Sequence, residues 1–255
     1  MTTVTLTTDL GKNNYNIASL KGAILSSSPA CNIIDISNEI TNFDIVEGTF
    51  ILENSYSFFP KSTVHIIAIN SYYAPRVRIL LLKKNNYYFI APDNGILSLI
   101  FDDLENEELR YMEYGLTAGD LYHVIAKTIG EIDEEKPLDE IGMKAGNINK
   151  KISIKPVLSG DTIRATVIFI DKFGNAILNI TRDHFRKLGN GRNFELRYSP
   201  KNSINKISNK YSDVPFGDEL CLFNSAGYLE IAVNMQSAGE ILGLEKGSIV
   251  QITFK

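Results

Sequence analysis

Three short stretches of this 255-residue chain set a carboxylate or an amide beside a glycine, where a small ligand could be gripped. Asp9-Leu10-Gly11 follows the alternating run Thr3 to Thr8 and precedes a helical pattern. A carboxylate there stands at the carboxyl end of a strand, the end at which open α/β sheets bind ligands, and it can accept two hydrogen bonds from a ribose diol. Asp171-Lys172-Phe173-Gly174-Asn175 offers a carboxylate, an aromatic face and an amide within five residues. Asn224-Ser225-Ala226-Gly227 offers an amide and a hydroxyl beside a flexible glycine. Asp, Asn, Ser and Gly are also ordinary turn and cap formers. Taken alone, Asp9 reads equally well as a helix cap, and the two later stretches read more readily as structure.

Other chemistries find little support. No Walker loop, GxSxG elbow, HExxH or GxGxxG occurs. His65, His123 and His184 lie in unrelated segments without metal-ligand spacing, and His123 reads as a core or helix-surface residue. Cys31 and Cys221 stand far apart and read as two buried thiols in a reducing cytoplasm. A net charge of −4 argues against a phosphate-backbone partner. Lys83-Lys84 reads as a solvated part of a hairpin turn. No apolar run approaches the ~20 residues of a membrane span, and no signal-peptide pattern opens the chain.

The elements that must position these stretches fall into two groups. The first alternates strands and helices: strand Thr3 to Thr8; a helix carrying Ile17, Leu20, Ile24 and Leu25; strand Cys31 to Ile36; a helix from Asp44 to Phe58. Val64 to Ile69 reads as a buried parallel strand, Ile79 to Leu82 and Tyr88 to Ala91 as a strand pair, Ile96 to Phe101 and Leu121 to Ile129 as helices. Asp133 to Pro137, charged and ending in proline, and the polar stretch Asn147 to Pro156 together read as linker. The later signals are almost all β: Ile163 to Ile170, Ala176 to Ile180, Phe194 to Arg197, Glu219 to Phe223, Tyr228 to Val233 and Ser248 to Phe254. The expectation is an α/β N-terminal domain with a mostly parallel sheet over residues 1–150, and an all-β, barrel-like C-terminal domain over residues 159–255.

Order and combination sharpen the reading. Thr8-Asp9-Leu10-Gly11 with Leu20-Lys21-Gly22 resembles a TDFG…MKG opening. Ile34 to Ile40 resembles VDITHEI, Phe59 to His65 FPxGTVH, and Ala91-Pro92-Asp93-Asn94-Gly95 APDNG. Ile170 to Asn175 with Asn179-Ile180 resembles IDxFGNxxTNI, and Asn224 to Glu230 NSxGYLE. Six ordered motifs make the chain similar, from end to end, to the S-adenosyl-L-methionine hydroxide adenosyltransferases, relatives of the S-adenosylmethionine fluorinase and chlorinase. The resemblance implies a homotrimer whose ligand lies between one subunit's N-terminal domain and the next subunit's C-terminal domain. It implies Asp9 on the ribose hydroxyls, with Phe43 packing on the ligand and Asn94 nearby. Asp171 would meet the methionine ammonium and Ser225 its carboxylate. Phe173 and Tyr211 would flank the adenine, with Asn175 on its edge and the Met235 backbone assisting.

The residues that position the attacking water in that family, an Asp, an Arg and a His, are only partly matched. The VDPGVG loop reads Ile69-Asn70-Ser71-Tyr72-Tyr73, so Asn70 replaces the carboxylate; Arg76 aligns with the Arg after one deletion; Leu116-Thr117-Ala118-Gly119-Asp120 places Thr117 at the His. The resemblance therefore implies binding of S-adenosylmethionine and slow hydrolysis to adenosine and L-methionine, without a metal or organic cofactor, in the cytoplasm. Two alternatives stand beside it: a non-catalytic S-adenosylmethionine or adenosine binder, and a halide-using enzyme.

Overall fold

The computed structural model describes residues 2–74, 77–104, 107–115 and 117–255. The chain divides into two compact units, Met1–Ile152 and Ser153–Lys255.

The first unit carries strands β1 (Thr3–Thr8), β2 (Asn32–Ser37), β3 (Val64–Ala68), β4 (Val77–Lys84), β5 (Tyr87–Pro92), β6 (Leu109–Tyr114) and β7 (Met143–Lys144). Its helices are α1 (Tyr15–Ser27), α2 (Ile45–Glu53), α3 (Ile96–Ile100), α4 (Ala118–Asp133) and α5 (Leu138–Ile141). The sheet order is β2-β1-β3-β5-β4-β6-β7. The pairs β1–β2, β1–β3 and β3–β5 are parallel, and the remaining pairs are antiparallel, so the sheet is mixed. Both faces are covered, which is why β3 is buried at every position. One face meets α1 and α4 through Ile17, Leu20, Ile24, Leu121, Ile125 and Ile129. The other meets α2 and α3 through Leu52, Ile96, Leu97 and Ile100. Each fully buried Leu or Ile contributes about 1.5–3 kcal/mol.

Two local readings need correction. The helix expected from Asp44 to Phe58 stops at Glu53, and the chain resumes as a single 3-10 turn at Tyr56–Phe58. Asp44 is its cap, accepting from the N–H groups of Val46 and Glu47, but Asn54 and Ser55 turn their side chains back onto the carbonyls of Phe50 and Ile51 and end the helix. Lys83 and Lys84 belong to β4 rather than to the turn; the hairpin turns on Asn85 and Asn86, with φ of 55° and 64°, the left-handed pair that a two-residue hairpin requires. Lys84 is ion-paired with Glu107.

The second unit carries β8 (Val157–Ser159), β9 (Thr162–Ile170), β10 (Ala176–Thr181), β11 (Phe194–Arg197), β12 (Ser203–Ile204), β13 (Glu219–Phe223), β14 (Tyr228–Val233) and β15 (Ile249–Phe254), with short helices α6 (Arg182–Gly189) and α7 (Ala238–Leu242). The order β12-β11-β15-β9-β10-β14-β13 is antiparallel throughout, with β8 beside β9. A bridge from Ile207 to Cys221 returns the chain after β12 onto β13, so the sheet nearly closes into a barrel. Alternation along β9 and β15 sends Ile163, Ala165, Val167, Val250 and Ile252 inward.

Candidate ligand sites in the two units

In the first unit the chain runs from β1 to β2 on one side, then crosses back to β3 on the other. That reversal opens a crevice beyond the carboxyl ends of β1 and β3. Thr8 pairs with Ala68 in the register, so Asp9 and Asn70 leave the sheet side by side. The Asp9 Oδ2 accepts the N–H of Phe43 at 2.9 Å and of Asn70 at 3.1 Å. Its Oδ1 takes no hydrogen bond among the described residues and remains available to a ligand hydroxyl.

Phe43 and Asn70 both have positive φ, 67° and 48°. Asn tolerates this region, whereas a Phe there is strained and holds only because its surroundings over-determine it. The Asp9 carboxylate on the Phe43 N–H is one such constraint, and it leaves the Phe43 ring 70% exposed.

Asn94 is buried and sits behind the crevice. Its Nδ2 donates to the carbonyls of Ile69 at 2.9 Å and Asn70 at 3.2 Å, while its Oδ1 accepts from the Ile96 N–H. It braces the corner that carries Asn70. Beside it the fully buried Asp93 accepts from Arg78 Nε at 2.6 Å and from the Asn149 N–H at 2.8 Å. Burial pushes the Asp93 carboxyl up, against the pull of the Asn149 N–H and the Arg78 guanidinium. This brace was not singled out in the sequence, where Asp93 reads as part of a turn.

Thr117 caps α4. Its hydroxyl accepts the Asp120 N–H at 3.2 Å, and its own backbone N–H donates to Asp120 Oδ2 at 3.1 Å, closing a reciprocal capping box; the hydroxyl also donates to that Oδ2 at 2.7 Å. Tyr72 links this helix start to the Asn70 loop: burial pushes its phenol up, and the nearby Asp120 carboxylate adds to the effect. Among the described residues no hydrogen bond joins Thr117 to Asn70. Arg76 lies outside the described residues. His123 is exposed on α4.

In the second unit the β9–β10 turn is organised by Asp171. Its Oδ1 accepts the N–H groups of Phe173 at 2.8 Å and Asn175 at 2.9 Å, and its Oδ2 accepts Asn175 Nδ2 at 3.0 Å. Gly174 has φ of 82°, and a Cβ on it would stand 2.1 Å from Ser237 Oγ, so only glycine fits. The Phe173 ring is left 78% exposed. Asn175 is buried, and its Nδ2 is held by Asp171.

The β13–β14 turn is held by Asn224, whose Oδ1 accepts the N–H groups of Ala226 and Tyr228, both at 3.1 Å. Ser225 is exposed at its tip. Glu230, on β14, accepts from Tyr211 Oη at 2.8 Å and Asn224 Nδ2 at 3.3 Å. Glu230 ends the NSxGYLE-like stretch, between the apolar residues Leu229 and Ile231, where a charge ordinarily faces solvent. It is 2% exposed. Met235 has φ of 63° and an exposed side chain.

The chain is similar to known proteins over nearly its whole length. Residues 4–129 match the SAM hydroxide adenosyltransferase N-terminal domain, and residues 165–251 match the C-terminal domain. The chain is 31% identical to the (R)-S-adenosyl-L-methionine hydrolase of Methanocaldococcus jannaschii, over 98% of this chain and 95% of that protein. It is 25% identical to a fluorinase from an Actinoplanes species, over 96% and 95%. A crystal structure of an uncharacterized conserved protein from Thermotoga maritima superposes with a TM-score of 0.85 at 27% identity, covering 98% of this chain and 99% of that one.

Proposed function

Since the chain belongs to the S-adenosyl-L-methionine hydroxide adenosyltransferase family, we propose that it binds S-adenosylmethionine and hydrolyses it slowly to adenosine and L-methionine. Water attacks C5′ as the C5′–S bond breaks; the sulfonium sulfur keeps the bonding pair and leaves as the neutral thioether of methionine. The water oxygen becomes the 5′-hydroxyl and its surplus proton passes to solvent. The observation that carries the reading is Asp9, held by two backbone N–H groups at the crevice with one oxygen free for the ribose diol. Phe43 packs on the ligand, Asp171 takes the ammonium, Ser225 the carboxylate, Phe173 and Tyr211 the adenine faces, Asn175 its edge, and the Met235 backbone assists.

The rate is limited by the reacting half. Asn70 offers no base, and the Thr117 hydroxyl is committed to its helix cap. A missing acid–base group costs ~10²–10⁴ in rate, while a sulfonium leaves readily, so in-line positioning carries the acceleration that remains. The same two residues favour a second reading, a binder without turnover. The assembly in this reading is a homotrimer in which different chains supply the two groups of contacts. Two free, buried cysteines suit a reducing cytoplasm. No helix among the described residues is long and apolar enough to cross a membrane.

The test is incubation of the purified protein with S-adenosylmethionine, with adenosine and methionine followed by chromatography, beside Asp9→Ala as control. Equimolar release that Asp9→Ala abolishes supports the hydrolase. Tight binding with no release leaves the binder. Sedimentation of the ligand-loaded protein as a monomer would refute the trimer.

A further inference from the structure

Glu230 puts a carboxyl group in a place that opposes charge. Its side chain lies on β14, opposite Leu222 of β13 and Ile177 of β10, and is 2% exposed. Its hydrogen-bond partners among the described residues, the Tyr211 hydroxyl and the Asn224 amide, are both neutral. Asp171, near enough to add repulsion, is a second carboxylate rather than a cation. A buried carboxylate without a counter-charge is costly, and a hydrophobic residue of similar size would remove that cost. The cost is offset if a ligand brings the missing cation.

The geometry around Glu230 points the same way. Its two oxygens connect groups assigned to opposite ends of the ligand: Tyr211 at the adenine, and Asn224, which sets the turn bearing Ser225, at the amino-acid end. Asn224 cannot reverse its amide, because its Oδ1 already holds the N–H groups of Ala226 and Tyr228. Glu230 therefore sits between the adenine grip and the methionine grip, the interval in which a sulfonium lies.

We infer that Glu230 is the specificity-determining residue that makes this site prefer a sulfonium nucleoside to its neutral thioether. The inference rests on the reading of the site as an S-adenosylmethionine site. It adds that the discrimination comes from a buried charge acting through space, not from a contact that shape alone supplies. A carboxylate a few ångströms from the sulfonium, in a medium less polar than water, favours the cation by about tenfold or more.

The experiment is calorimetry with three ligands on the full chain: S-adenosylmethionine, its thioether S-adenosylhomocysteine, and adenosine. Glu230→Gln keeps the shape and both hydrogen bonds, since its amide oxygen can face Asn224 and its amide nitrogen can donate to the ambivalent Tyr211 hydroxyl. The wild type should prefer the sulfonium. In Glu230→Gln that preference should shrink by about tenfold, with adenosine affinity unchanged. Glu230→Asp keeps the charge but cannot span both partners; it should weaken all three ligands by a common factor and retain the preference. A ratio unmoved in Glu230→Gln overturns the inference, because a merely structural glutamate would lower every affinity together. Equal affinity of the wild type for sulfonium and thioether overturns it as well. Failure of the wild type to bind any of the three ligands overturns the underlying reading of the site, and the inference with it.

Discussion

In the first unit Asp9 takes its internal hydrogen bonds from the backbone N–H groups of Phe43 and Asn70, and Asn94 donates to two backbone carbonyls. In the second, Asp171 also accepts two backbone N–H groups but adds the Asn175 side chain, and among the described residues Glu230 is held by the side chains of Tyr211 and Asn224. The two constructions tolerate change differently. Any residue except proline supplies a backbone N–H, so position 70 can exchange a carboxylate for an amide while the corner around Asp9 survives. A side-chain network has no such freedom, since each member is specified by its donor or acceptor. The corner around Asp9 is therefore the more tolerant of exchange, and the Glu230 network the less.

The largest expected effect breaks the second construction. Asp171→Ala removes the acceptor for two N–H groups and an amide. S-adenosylmethionine binding should weaken by ~2–4 kcal/mol, the scale of a charged group lost with its hydrogen bonds. Adenosine should also lose about 1 kcal/mol, because Phe173 and Asn175 are no longer fixed. Calorimetry with both ligands checks this; adenosine binding as tight as wild type would mean the turn stands without Asp171.

The next sets the units against each other in acid. His65 is fully buried among Tyr56, Phe59, Tyr87 and Phe89, its Nδ1 on the Thr5 hydroxyl at 2.7 Å and its Nε2 without a partner among the described residues. Burial holds its pKa down to about 4 from 6.5. The stability contributed by the neutral ring is complete above pH 6.5 and is lost as pH falls toward 4, by about 3 kcal/mol in full and about 2 kcal/mol by pH 5. Glu230 has the opposite sign: burial raises its pKa, so its contribution is greatest below the ordinary carboxylate range and declines as pH rises through the folded value. Hydrogen exchange corrected for intrinsic rates should show protection falling in the first unit between pH 7 and pH 5 while the second unit holds. Parallel loss in both units would count against this assignment.

Restoring the reacting half tests whether replacement there was harmless to the framework. Asn70 has a φ that aspartate also tolerates, so Asn70→Asp fits the existing backbone. Thr117→His gives up a helix cap, at a stability cost of about 1 kcal/mol. The double variant should release adenosine ~10-fold faster or more, the low end for positioned acid–base groups, with neither single change reaching that gain. If the wild type is already as fast, Asn70 and Thr117 belong to a different working arrangement.

The smallest effect concerns strain. Met235→Gly relieves a left-handed backbone at an exposed position, and the melting temperature should rise by about 2–4 °C, equivalent to ~1 kcal/mol or less. A lower melting temperature would mean that the Met235 side chain contributes packing that its exposure conceals.

Much of this molecule is legible in the sequence where burial follows a period. Val64 to Ala68 and the alternating strands of the second unit announce themselves because one residue type faces one environment. Leu109–Tyr114 does not, since its Arg110 and Glu113 interrupt the apolar signal of a strand paired with β4 near one side of the sheet. Arg182–Gly189 is mostly polar and packs through Phe185, Leu188 and the buried Gly189. Leu25 fits the helical period but lies toward solvent, 45% exposed, because α1 presents only a narrow stripe to the sheet. At the sites, motifs bring out Asp9 and Asp171 but not the N–H groups that each accepts, because backbone N–H groups carry no residue identity. Glu230 is hidden for the converse reason: its neighbours predict solvent, and a tyrosine nineteen residues away encloses it.

The stretch Asn147 to Pro156 reads as linker, yet its first half belongs to the first unit. Arg78 reaches the Asn147 carbonyl, Asp93 accepts from Asn149, and Ser98 Oγ accepts the Lys151 N–H at 2.8 Å and donates to its carbonyl at 3.3 Å. For anyone splicing a fluorophore, an affinity handle or a flexible spacer into this chain, the permissible point therefore lies after Ile152. There, each doubling of spacer length costs only ~0.6 kcal/mol of closure entropy. A graft a few residues earlier would strip Asp93 of a donor and loosen the Asn94 corner, so that an insertion remote in sequence from Asp9 would be felt beside it.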